Sequence, residues 1–154
     1  MRDSKLTELR FDPERFLPNL LGQASVASER DFLRELRDTF GLSRTQWQII
    51  AYLGFSGSMT ATEICHRSGV EKTKISRAVA VLEGEDLLVR DRSKVDRRCE
   101  YLTLTSKGDA LFVAVGERAI EADQALRARI GALRARELES ALRALIRKPD
   151  PRGR

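Results

Sequence analysis

The chain has 154 residues, 42% of them hydrophobic and 33% charged, with a net charge of +5. That length and balance predict one domain spanning 1–154 with enough chain to bury a core, and they exclude a low-complexity or disordered composition. No apolar run approaches the ~18 residues of a membrane span, and the opening MRDSKLTELRFDPERF carries acids where a secretory leader would carry an apolar segment, so a cytoplasmic protein is expected.

Residues 1–59 hold eight basic and eight acidic side chains, 60–105 nine and eight, and 106–154 eleven and seven. Net charge is therefore a weak argument for nucleic acid, and local clustering has to carry it. Cys65 and Cys99 lie far apart with no CxxC spacing, so a disulfide is not expected. Cys65 beside Ile64 reads as a small core residue and Cys99 follows a basic loop; a redox-sensing thiol is the weaker reading.

Taken in order, residues 1–12 show no periodicity. Asp12-Pro13-Glu14 has the form of a helix start, with a capping Asp, Pro at the first position and an acid in the first turn; Pro18 is close enough to shift or interrupt it. Leu20, Leu21, Ala24, Ala27, Ser28, Phe32, Leu33, Leu36 and Phe40 then repeat at helical spacing up to Gly41. Ser43 or Thr45 caps the next helix, with Trp47, Ile50, Ala51 and Phe55 on one face and Trp47 as a core anchor. Gly54 to Ser58 reads as a loop.

Thr60-Ala61-Thr62-Glu63 fits a capping box. It opens a short helix that buries Ile64. Ser68-Gly69-Val70 is a turn in which Gly69 can take a positive φ. Residues 71–83 form a second helix with Ile75, Ala78, Val79 and Leu82 inward and Lys72, Thr73, Ser76, Arg77 and Ala80 outward. Leu87 to Arg90 and Cys99 to Leu104 read as two strands. Between them, Asp91 to Arg98 sets Arg92, Lys94, Arg97 and Arg98 against Asp91 and Asp96. Thr105 caps a long helix with Leu111, Phe112, Val115, Ala119, Ala122, Leu126 and Ile130 on one stripe. Gly131 breaks it, and Leu138, Ala141, Leu142, Leu145 and Ile146 stripe a last helix before Pro149.

The expected fold is mainly α with a small β-hairpin wing: a winged helix-turn-helix lobe over 42–104, flanked by long helical regions at 12–40 and 105–147. Narrow apolar stripes on both flanks call for a partner, so these regions are expected to dimerise. On DNA, the second helix of the turn has the width of the major groove. Lys74 and Arg77 would reach guanine or phosphate, Thr73 and Ser76 bases or phosphate, and Lys72 with the helix N-terminus a phosphate. Glu71 would cap that helix or accept from a cytosine amino group. An ordinary solvated face explains these charges equally well. The arginine-rich loop adds to the case, because a basic hairpin tip suits the narrow minor groove, and Asp96 is spaced to accept from the Arg98 guanidinium.

At this point the residues resemble the MarR family of bacterial transcriptional regulators, over about residues 30–115 and most specifically over 60–108. The carriers are Leu42 to Trp47, Val70-Glu71-Lys72-Thr73-Lys74-Ile75-Ser76-Arg77, Leu82 to Arg90, Asp96-Arg97-Arg98 and Leu104-Thr105-Ser106-Lys107-Gly108. The resemblance implies a homodimer on a pseudo-palindromic operator in double-stranded DNA, with Arg98 in the minor groove and Asp96 holding it. It also implies a dimer interface of N- and C-terminal helices and a small anionic or phenolic effector between lobes. Asp86 departs from the pattern, standing where the family usually has Gly, and with Glu83 and Glu85 it makes an acidic patch. Phe16, Trp47, Tyr52 and Phe112 are candidate effector contacts but read as core, so no ligand-binding residue is assigned.

The function expected is a ligand-responsive repressor; the alternative is a winged-helix module for protein contact with weak or no DNA binding. The only histidine, His66, has no plausible nucleophile near it, and no metal-ligand cluster or Gly-rich phosphate loop is present in the sequence. Neither an enzyme nor a cofactor is expected.

Overall fold

The computed structural model describes residues 9–92 and 100–147. The chain divides into two compact units, Met1–Gly41 and Leu42–Arg154. The first is built on one helix, α1 (Leu17–Phe40). The expected start at Asp12 is instead a turn: Asp12 Oδ1 accepts from the Glu14 N–H at 2.9 Å, and the Arg15 N–H donates to the Asp12 carbonyl at 3.2 Å. The helix begins at Leu17, with Pro18 in the first turn, where its missing N–H has no intrahelical acceptor to lose. Gly41 closes it in the left-handed region. Among its residues only Leu36 is buried, while Leu20 of the apolar stripe is exposed, as are Leu17 and Val26.

The second unit contains α2 (Arg44–Ser56), β1 (Ser58–Thr60), α3 (Ala61–Ser68), α4 (Lys72–Gly84), β2 (Leu88–Arg92), β3 (Glu100–Leu104), α5 (Ser106–Ile130) and α6 (Ala132–Ile146). Two reciprocal capping boxes set the starts of α2 and α3. Ser43 Oγ accepts from the Gln46 N–H while Gln46 Oε1 accepts from the Ser43 N–H, and Thr60 and Glu63 repeat the arrangement. The Thr60 backbone N–H, and next its hydroxyl, hold the Glu63 carboxyl below the usual range.

The buried face of α2 is Ile49, Ile50 and Leu53, not the expected row ending in Phe55. Phe55 is 85% exposed. Five residues advance a helix by about 500°, which puts Phe55 about 140° round from Ile50 and off the core side. Trp47 is half-buried and stacks on Phe112, ring centroids 6.4 Å apart. The supposed loop at Gly54 is helical through Ser56, and a Cβ at Gly54 would overlap the Phe112 ring. The glycine is there for close approach between α2 and α5, not for a turn.

The core of this unit closes where α2 and α3 pack on α4 and where α4 packs on β2. Ile49, Ile50, Leu53, Ile64, Ile75, Val79, Leu82, Leu88 and Leu102 are all essentially inaccessible. Each such side chain contributes roughly 1.5–3 kcal/mol relative to exposure. Cys65, expected in the core, is only half-buried at its edge.

The sheet has three antiparallel strands in the order β1-β3-β2, one more than the hairpin expected. Ser58 pairs with Thr103 and Thr60 with Tyr101 on one side of β3; Leu88 pairs with Leu104 and Arg92 with Glu100 on the other. Leu88, Leu102, Leu104 and Met59 therefore share the inner face, and Val89 and Tyr101 look outward.

The junction between α4 and α5 sets the geometry of the lobe. Thr105 Oγ1 accepts from the Gly108 N–H at 3.1 Å to cap α5, and its hydroxyl donates to the Asp86 carbonyl at 2.6 Å. The Thr105 N–H donates to the Leu87 carbonyl at 3.1 Å. Gly108 lies directly under that strand: a Cβ there would overlap the Leu87 carbonyl oxygen. Backbone cannot move aside as a flexible side chain can, so Gly108→Ala should cost about 2 kcal/mol or more. Urea unfolding monitored by circular dichroism checks this, and a change under 0.5 kcal/mol would contradict the packing described, on the scale of about 1–3 kcal/mol for overpacking.

Candidate nucleic-acid interface

The turn between α3 and α4 is held from both sides. Gly69 ends α3 at φ 69°, a value that favours glycine, and its N–H donates to the Cys65 carbonyl at 2.9 Å. The Tyr52 hydroxyl donates to the Arg67 carbonyl at 3.0 Å, and the Arg67 guanidinium donates to Ser56 Oγ at 3.1 Å, tying the end of α3 to α2. The Val70 N–H donates to Ser68 Oγ at 3.2 Å.

This frame fixes the rotation of α4. Ile75, Ala78, Val79 and Leu82 are buried, and Lys72, Thr73, Lys74, Ser76, Arg77 and Ala80 are exposed. Five of the candidate DNA-contacting residues (Lys72, Thr73, Lys74, Ser76 and Arg77) thus lie within the exposed N-terminal half of one helix. Glu71 is the residue before the helix, but its side chain makes no cap; the capping role expected of it is not realised. Among the described residues no side chain caps the first amides of α4.

At the other end, α4 closes by the two bonds of a Schellman turn. The Leu87 N–H donates to the Leu82 carbonyl at 2.9 Å and the Asp86 N–H to the Glu83 carbonyl at 3.1 Å, with Asp86 at φ 58°. Asp86 is the only non-glycine among the described residues with positive φ. Its short polar side chain makes this region more accessible to it than to most residues. Lys107 Nζ donates to the Glu85 carbonyl at 2.7 Å, a cation at a helix C-terminus.

The acidic patch is partly engaged. Arg90 on β2 donates from Nε to Glu83 Oε2 at 2.9 Å and from a terminal nitrogen to Glu100 Oε2 at 3.3 Å. Its hydrogen bond to Glu83 chiefly raises its pKa, and Glu100 adds to this. Of the expected wing residues, Arg92 ends β2 opposite Glu100, with its side chain outside the described residues. Lys94, Asp96, Arg97, Arg98 and Cys99 also lie outside the described residues. Among the described residues no group of three His, Cys, Asp or Glu side chains is placed to hold a metal, and no helix is long and apolar enough to cross a membrane.

A helix-turn-helix whose second helix shows a polar, basic face, followed by two antiparallel strands joined by a basic stretch of sequence, defines a winged-helix protein of the DNA-binding class. Residues 40–98 match the model of the MarR family. The chain is 26% identical over 117 residues to the HTH-type transcriptional regulator FarR of Neisseria gonorrhoeae, covering 76% of this chain and 80% of that one. Among solved structures, transcriptional regulator PA4135 shares 27% identity at a TM-score of 0.78, over 86% of this chain and 98% of its own. The transcriptional repressor CouR, bound to a 23-mer DNA duplex, shares 27% identity at a TM-score of 0.76, over 96% and 99%. At 23% identity, NadR in complex with 4-hydroxyphenylacetate has the same fold, with a TM-score of 0.77 over 92% and 100%. Over residues 40–98 the chain is similar to the MarR family of transcriptional regulators, and the relatives it resembles along most of its length are transcriptional regulators. These relatives are regulators, not enzymes.

The left-handed Asp86 gives a direct test of the α4 closure. Asp86→Gly should be neutral or stabilising by up to about 1 kcal/mol, whereas Asp86→Val, β-branched at positive φ, should cost about 2 kcal/mol. Thermal melting of the two variants beside wild type reads the difference; equal melting temperatures would contradict the strained position.

Proposed function

We propose that the chain is a homodimeric, sequence-specific repressor, acting in the cytoplasm on double-stranded DNA with a pseudo-palindromic operator. The observation that carries this reading is α4: a buried apolar row, an exposed face of Lys72, Thr73, Ser76 and Arg77, and an N-terminus that no side chain caps among the described residues. Such a helix can enter the major groove with its amides toward a phosphate. Lys72 takes a phosphate, Lys74 and Arg77 a guanine or a phosphate, and Thr73 and Ser76 allow close approach. Arg92, Lys94, Arg97 and Arg98 serve the minor groove and its flanking phosphates, with Asp96 orienting Arg98. The likeness to CouR, solved on a DNA duplex, supports this assignment.

Self-association rests on apolar surface that a single copy leaves open. Leu17, Leu20 and Val26 of α1 are exposed. Between α5 and α6 runs an open groove of about 300 Å³ lined by Leu126, Ile130, Leu138, Leu142 and Ile146. Arg127, paired within α5 to Asp123 at 2.7 Å, bridges to Glu139 of α6 at 3.2 Å and so links the two helices that form it. We assign 12–40 and 105–147 to the dimer and 42–104 to the DNA-binding lobe. The effector class proposed is a small anionic or phenolic molecule, in line with the ligand held by NadR.

Selection of bound sequences from random duplexes tests DNA binding and returns the operator; a palindrome among them reports the dimer. On that operator, Arg98→Ala and Arg77→Ala should each weaken binding by about 1–3 kcal/mol without unfolding the protein. Wild-type affinity in both well-folded variants would remove these roles. Log K should fall steeply with log salt, as release of several counterions requires; a flat dependence favours the protein-contact alternative. Light scattering at micromolar concentration should give twice the chain mass, and a monomer would defeat the half-site argument.

A further inference from the structure

Arg90 stands where three elements meet. Its backbone is in β2, paired with Leu102 of β3, two register steps inside the Arg92–Glu100 pair at the end of the described ladder. Its guanidinium reaches back to α4 through Glu83 at 2.9 Å and across to β3 through Glu100 at 3.3 Å. The three side chains are 35%, 43% and 42% exposed, so solvent screens the pairs less than fully exposed ones. A planar guanidinium fixes the directions of its acceptors, which a lysine ammonium does not.

A negative charge beside a surface that meets phosphate opposes binding by simple charge. Glu83 lies in the last turn of α4, where an acid also opposes the helix dipole. Both unfavourable placements make sense if these groups serve to bind Arg90.

We propose that Arg90 is a positioning residue that fixes the angle between α4 and the strands of the wing, so that one rigid unit meets both grooves. The inference rests on the DNA-binding reading above. Arg90 acts through Glu83 and Glu100 and touches neither base nor phosphate.

The sign of the charge effect makes this testable. Full-length wild type, Glu83→Gln, Glu100→Gln, Arg90→Met and Arg90→Lys are titrated against a duplex selected by the wild type, over a range of salt, well below each melting temperature. Removing an acid near DNA should tighten binding if only charge matters. The clamp requires the opposite: Glu83→Gln and Arg90→Met each weaken binding about five- to tenfold, with the salt slope unchanged. Arg90→Lys should recover little of the loss. A Glu83→Gln affinity equal to or tighter than wild type overturns the proposal. A salt slope smaller by about one in Arg90→Met makes Arg90 a phosphate contact and also overturns it. If wild type selects no duplex, the DNA-binding reading fails instead. The tie is then read in the free protein by amide exchange at Asp91 and Tyr101, which should be faster in Arg90→Met; unchanged exchange there overturns it.

Discussion

A helix that must present one face to a partner needs its far end fixed, and the last carbonyls of α4 are where this lobe does it. The two bonds of the Leu82–Leu87 turn satisfy part of that end. The start of α5 satisfies more, with the Thr105 hydroxyl on the Asp86 carbonyl and Lys107 Nζ on the Glu85 carbonyl. The same Thr105 caps its own helix through the Gly108 N–H. One short segment thus ends α4, begins α5 and holds β2 beside β3, and Gly108 is the residue that lets these backbones touch. Any rotation of α5 must move these bonds, so the long C-terminal helix and the exposed face of α4 are mechanically linked.

The polar surface of α4 is then a matter of what the rest of the chain leaves free. Burial of Ile75, Ala78, Val79 and Leu82 fixes the helix rotation. The Tyr52–Arg67 and Arg67–Ser56 bonds fix the approach of α3. Within that frame, the acidic cluster that looked unfavourable for a nucleic-acid interface takes on structure. Glu83 is engaged by Arg90, while Glu85 and Asp86 present backbone carbonyls to Lys107 and Thr105. Hydrogen bonds of this kind, several of them charge-assisted, orient elements more than they add stability at an exposed site.

Where the structure departs from local sequence pattern, the departures have a common physical origin. Asp12-Pro13-Glu14 has every local mark of a helix start, yet it forms a turn and α1 begins at Leu17, because Pro18 fits the first turn better than the second. Gly54 resembles a loop glycine locally; its reason is the Phe112 ring, 58 residues on in sequence. Phe55 is an apolar residue at an approximately helical distance from Ile50 that nonetheless falls off the buried arc. Ser58 to Thr60 has no strand pattern of its own, being three residues long, and becomes β1 only because β3 offers an open edge.

What the sequence determined by itself is what short-range chemistry fixes. The Thr60–Glu63 and Ser43 caps, the Gly69 turn, the inward row of α4, the left-handed tolerance of Asp86 and the Leu-Thr-x-x-Gly start of α5 are all set by residues within one or two turns of each other. The tertiary structure decided what needs two distant segments to meet: the third strand, the stacking of Trp47 on Phe112, and the engagement of Glu83 and Glu100 by Arg90. Local patterns carry the conformational preference of each element. The orientation of one element against another depends on side-chain contacts between chain segments whose separation no periodicity encodes.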